Sequence, residues 1–189
     1  MTEQLAERRR FAPWAIGLPL LALSRTLRVD EPPLLLALRR LVDAGALVYR
    51  GDYYAMPGVQ PELTVEQRAF FEGAFPPNDQ DPFLPVEYTD IRKAISAARL
   101  FGCIQAFDAL LACGTFVHVG KMLYRDEQIE QIKERLVATL QQEGKITPSR
   151  FCEVTGLTRK YAIPLLEWFD VQGVSIRTSD ARIGRDSLS

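Results

Sequence analysis

Two cations, Arg159 and Lys160, follow Thr158 where the sequence starts a helix, and that placement suits the capture of an anion. The stretch Thr158-Arg-Lys-Tyr-Ala-Ile-Pro-Leu-Leu-Glu-Trp-Phe169 places Ala162, Leu165, Leu166 and Phe169 along one stripe, the mark of a helix docked on a core. At the first turn of such a helix the backbone N–H groups have no partner and the dipole end is positive, so cations added there complete an anion site. Pro164 removes the N–H that would bond the Lys160 carbonyl, which predicts a local kink. Arg177, Arg182 and Arg185 follow the helix. From Lys145 to Arg185 seven basic residues face four acidic ones, while the stretch before it carries Asp126, Glu127, Glu130 and Glu134. Two readings of this cluster stand at this point, an anion-binding surface and an ordinary solvated charged face. Tyr161 likewise reads either as a stacking residue beside the cations or as a core residue packed on Leu165.

No other chemistry competes with it. The sequence holds no GxxxxGK[ST] or GxGxxG loop, so nothing predicts a bound nucleotide. Its single histidine, His118, lies in a Thr-Phe-Val-His-Val strand pattern, and one histidine without a motif assembles no nucleophile–base pair. Cys103, Cys113 and Cys152 are scattered, so a zinc site is not expected, and their apolar neighbours read as buried thiols in a reducing compartment. The carboxylates fall among lysines and arginines on helix faces. We therefore expect no catalytic residue, cofactor or metal, and a protein that binds.

The 189 residues suffice for one large domain or two to three small ones. A net charge of −1 excludes a globally basic nucleic-acid coat but leaves room for a local patch. The Glu7-Arg-Arg-Arg10 run precedes an apolar stretch that Pro13, Pro19 and Arg25 break well short of a membrane span. The expectation is a cytoplasmic protein without a membrane partner.

Three segments repeat one pattern, each an apolar helix, a glycine, a β-prone run, a polar turn and a second β-prone run. They pass through Gly45 and Gly51-Asp52, through Gly114 and Gly120-Lys121, and through Gly173 and Ser179-Asp180. In each, the glycine sits where a helix should stop, and it tolerates the left-handed conformation of a helix C-terminus. A helix followed by a hairpin is the back half of a winged helix. Helices expected ahead of the hairpins are Leu18–Thr26 and Pro32–Ala44; Thr64–Ala74, Thr89–Ala97 and Phe101–Cys113; and Glu127–Gln142, Pro148–Val154 and the helix capped by Thr158. A Pro-rich loop, 76–85, interrupts the second set. Spacings of 69 and 59 residues between the glycines fit compact modules. The reading is a mainly α chain with small β-hairpin wings (α+β), in tandem winged-helix modules at 11–58, 62–125 and 126–186. An all-α bundle with incidental hairpins is the weaker account.

From Ile146 to Glu167, ITPSRFCEVTGLTRKYAIPLLE closely resembles the terminal winged helix of the bacterial selenocysteine-specific elongation factor family, SelB. Leu63–Arg68 and Leu34–Tyr54 resemble more loosely that family's earlier modules. The resemblance implies binding of the selenocysteine-insertion hairpin of an mRNA, whose loop and bulged bases suit protein readout better than an A-form duplex. It implies RNA-binding roles for Thr158, Arg159, Lys160 and Tyr161 on the recognition helix and for Arg177 and Arg182 in or beside the wing. It also implies a monomer working with the ribosome and with the family's GTPase and tRNA-binding half, which this sequence lacks. Two other classes remain open at this point. One is a DNA-binding winged-helix regulator, since the fold serves both nucleic acids. The other is a protein-interaction scaffold, in which the acidic first two modules act as a spacer.

Overall fold

The computed structural model describes residues 12–76 and 80–185. Phe11 and Asp186, the outer bounds expected for the first and last modules, fall outside them, as do the Glu7–Arg10 run and residues 77–79 of the Pro-rich loop. In chain order the described elements are α1 (Leu20–Leu27), α2 (Glu31–Asp43), β1 (Val48–Arg50), β2 (Tyr53–Ala55), α3 (Val65–Ala74), β3 (Val86–Glu87), α4 (Tyr88–Ala98) and α5 (Cys103–Ala112). Then come β4 (Phe116–Val119), β5 (Met122–Arg125), α6 (Asp126–Glu143), α7 (Pro148–Thr155), α8 (Arg159–Val171), β6 (Ser175–Arg177) and β7 (Arg182–Gly184). The residues group into two compact units. One runs to Phe75 and adds Arg92–Thr115; the other comprises Pro76–Ile91 and the chain from Phe116 onward.

In the first unit α1, α2 and the β1–β2 hairpin enclose Leu18, Leu23, Leu34, Leu38, Leu47 and Tyr54. Gly51 and Asp52 connect the two strands with φ of 47° and 69°. Two consecutive left-handed residues make the tight turn whose twist matches antiparallel strands. α3 starts on a capping box, a threonine and a glutamine three residues apart that each bond the other's backbone. The Thr64 N–H donates to Gln67 Oε1 at 3.1 Å, and the Gln67 N–H returns a bond to Thr64 Oγ1 at 3.2 Å. Gln67 is buried and its Nε2 also donates to the Phe101 carbonyl at 2.9 Å, so its side-chain amide joins two chain segments.

In the second unit the antiparallel sheet β3-β5-β4 and the β6–β7 hairpin accompany α6, α7 and α8. One core joins them. Ile129, Ile132, Leu136 and Leu140 of α6 meet Phe151 of α7, Ala162, Leu165, Leu166 and Phe169 of α8, and Val119, Met122 and Tyr124 of the sheet. Burial pushes the Tyr124 phenol well above its ordinary range, so it packs as a neutral ring. α6 ends at Gly144 (φ 75°), α7 ends at Gly156 (φ 75°), and Thr147 Oγ1 accepts the Arg150 N–H at 3.2 Å to cap α7.

Each hairpin also gains a partner that the two-strand reading did not contain. Leu18 pairs with Tyr54, β3 pairs with β5, and Ile146 pairs with Arg182. One or two paired residues carry no alternation to read. The expected helices stand within about three residues of their bounds, the usual fraying of helix ends.

Candidate nucleic-acid interface

α8 begins at Arg159 because Thr158 holds an extended conformation (φ −75°, ψ 160°) and its carbonyl accepts from the N–H groups of Tyr161 and Ala162, both at 3.0 Å. Thr158 is the N-cap by position, but its side chain makes no capping bond. The helix runs unbroken through Pro164 to Val171. Its buried stripe is Ala162, Leu165, Leu166 and Phe169, which leaves Thr158, Arg159 and Lys160 in solvent. The start of the helix thus exposes unpartnered backbone donors and two cations together.

The two cations reach for different neighbours. Arg159 donates from a terminal guanidinium nitrogen to Ser149 Oγ at 2.8 Å, at the opening of α7. Lys160 Nζ lies 3.5 Å from Glu87 Oε1 of β3 and 5.2 Å from the centre of the Tyr161 ring. With side chains 64% and 48% exposed, the Lys160–Glu87 pair is loose and readily exchanged for a stronger anion. Tyr161 favours its core reading without being closed off from solvent. Half-buried, it packs on the core of the second unit, and it also borders a groove of about 270 Å³ lined by Pro82, Leu84, Gly156 and Thr158.

The wing separates its two arginines. Arg177 and Arg182 face each other across β6 and β7. Arg177 is exposed and forms no ion pair among the described residues. Arg182, expected at the surface with it, is only 4% exposed, and its Nε donates to Asp170 Oδ2 at 2.9 Å. The geometry places it in the join between wing and helix. The reason is Asp170, a carboxylate at the end of α8 that a count of charges along the sequence treats as one more surface acid.

Arg185, counted in the sequence among the cations that follow the helix, lies against Gly173. Gly173 has φ +74°, and the Arg185 guanidinium lies over its Cα where a side chain would otherwise stand. Arg150 reads as a further surface cation, yet Glu143 and Glu153 hold it at 2.8 and 3.0 Å and raise its pKa, chiefly through the Glu143 hydrogen bond. Lys145 is exposed. His118 stands exposed and stacked on Tyr88, ring centres 4.4 Å apart. Cys103 is buried as expected, whereas Cys113 and Cys152 are half-buried. Among the described residues no helix is long and apolar enough to cross a membrane.

Helices closed by small antiparallel wings, the last one carrying cations at its recognition helix and wing, define a winged-helix protein. Residues 138–183 match the family model described as elongation factor SelB, winged helix. The chain is 27% identical over 153 residues, 76% of its length, to a selenocysteine-specific elongation factor of Desulfomicrobium baculatum, and spans 23% of that relative. Its fold is similar to the mRNA-binding domain of elongation factor SelB from E. coli, solved in complex with SECIS RNA. There the TM-score is 0.51 at 23% identity, over 66% of this chain and the whole of that one. The chain is thus similar to the winged helix of SelB over residues 138–183, and to the mRNA-binding domain of SelB in fold.

Proposed function

We propose that this chain is the mRNA-hairpin-binding arm of a selenocysteine-specific elongation factor, and that the start of α8 and the wing form its RNA contact. The observation that carries this reading is the joint exposure of Arg159, Lys160 and Arg177, within the stretch that matches the SelB winged helix. The E. coli relative's structure contains SECIS RNA, which supports a hairpin of that kind as the ligand. Arg159, Lys160 and Arg177 meet phosphates, the exposed N–H groups of α8 add a further anion contact, and Tyr161 offers its ring edge to an unpaired base at the groove. Arg182 takes no direct part.

The three hairpin-bearing stretches, at 11–58, 62–125 and 126–186, are read as successive winged-helix modules, the first two serving as a spacer. The arm works as a cytoplasmic monomer beside the ribosome, joined or recruited to a GTPase and tRNA-binding half. It binds rather than catalyses.

Titration against a selenocysteine-insertion hairpin, its loop mutant and duplex DNA, each at several salt concentrations, tests the reading. The hairpin binds tightest and loop mutation abolishes the preference. Equal affinity for all three contradicts it, and tighter binding to duplex DNA points instead to a winged-helix regulator. Lys160→Ala weakens hairpin binding about fivefold at ~0.15 M salt, the counterion contribution of one phosphate contact.

A further inference from the structure

We infer that the buried Asp170–Arg182 pair is a positioning device that aims the wing's Arg177 at the ligand of α8. This rests on the RNA-hairpin reading of that surface. Asp170 is the penultimate residue of α8, and its carboxylate accepts from Arg182 Nε at 2.9 Å and from Ser175 Oγ. Both donors belong to the wing, one on each strand. The backbone of Arg182 in turn pairs with Ile146 in both directions at 2.8 Å, which ties the outer wing strand to the segment ahead of α7. One side chain of the recognition helix therefore fixes both strands of its own wing.

Charge explains why an ion pair stands there. Arg177 and Arg182 are direct cross-strand partners on one face of the hairpin, and like charges so placed repel. Asp170 neutralises Arg182, whose side chain is 5% exposed, and leaves Arg177 as the one exposed cation on the two strands, with Asp180 in the turn between them. A buried ion pair is weak evidence for stability, because an apolar pair of similar volume often serves as well. The pair's distinct contribution is direction. It holds the hairpin against the end of the helix whose beginning carries Arg159 and Lys160.

The test is a coupling experiment on the full chain with a selenocysteine-insertion hairpin RNA. Affinity is measured for the parent, Arg177→Ala, the charge-neutral replacement Asp170→Leu/Arg182→Met, and the triple variant, with thermal unfolding followed for each. In the parent, Arg177→Ala weakens binding about fivefold at ~0.15 M salt. In the Asp170→Leu/Arg182→Met background the same step shrinks to under about twofold while Tm stays close to the parent's. A step that persists at full size overturns the inference, as does the absence of any step in the parent. A parent that shows no hairpin preference overturns the RNA reading itself, a separate outcome. If the apolar pair does not fold, Arg182→Lys takes its place. It keeps the charge and stem but not the planar Nε contact, so the reduced Arg177 step is expected again and its persistence again overturns the proposal.

Discussion

Arg177 and Arg182 are the same residue type on facing positions of one hairpin, yet removing each has a different consequence. Arg182→Ala leaves Asp170 with a lost partner in a largely dry site and costs about 3 kcal/mol of stability. Arg177→Ala changes stability by less than about 0.5 kcal/mol, as surface substitutions usually do. Urea denaturation of the two variants checks both. The Lys160–Glu87 contact belongs to the same scale. Glu87→Ala leaves stability unchanged and tightens hairpin binding, because it removes the carboxylate that competes with a phosphate for Lys160. The sequence showed which cations exist and that they gather after α7. It could not show their burial, because the deciding partner of Arg182 lies twelve residues back at the far end of a helix.

Elements were more legible than individual contacts, because helices announce themselves by periodicity and by caps. Two threonines show where that language stops. Thr147 and Thr158 both precede helices, but only the Thr147 side chain accepts a backbone N–H. Thr147→Ala therefore costs about 1 kcal/mol, whereas Thr158→Ala costs a small fraction of that in the same denaturation assay. The glycines before the hairpins were also readable. Gly173→Ala forces a left-handed alanine, costs about 1–2 kcal/mol, and displaces the Arg185 guanidinium from above it. The additional pairing partner of each hairpin was not readable as such. Leu18, Val86–Glu87 and Ile146 pair through one or two residues, and pairing that short is fixed by the packed helices around it rather than by any local pattern.

At the scale of the whole molecule, the chain is nearly neutral, with a net charge of −1, and the proposed RNA contact rests on three exposed cations, Arg159, Lys160 and Arg177. That distribution makes a definite prediction for salt dependence. Three phosphate-contacting cations give a slope of log K against log salt of about −2 to −2.7, far shallower than that of a broadly basic nucleic-acid binder. The fold class was legible because a helix, a glycine and a hairpin recur three times in the sequence. The grouping into two compact units was not, since it depends on which surfaces the packed helices and sheets share. The most direct test of the central claim is amide chemical-shift mapping of the intact chain as a selenocysteine-insertion hairpin is added. The account predicts the largest changes at residues 158–161 and in the wing around Arg177, saturating together and disappearing with a loop-mutant RNA. Largest changes in α1, α2 or the β1–β2 hairpin, with residues 158–161 unmoved, would contradict it.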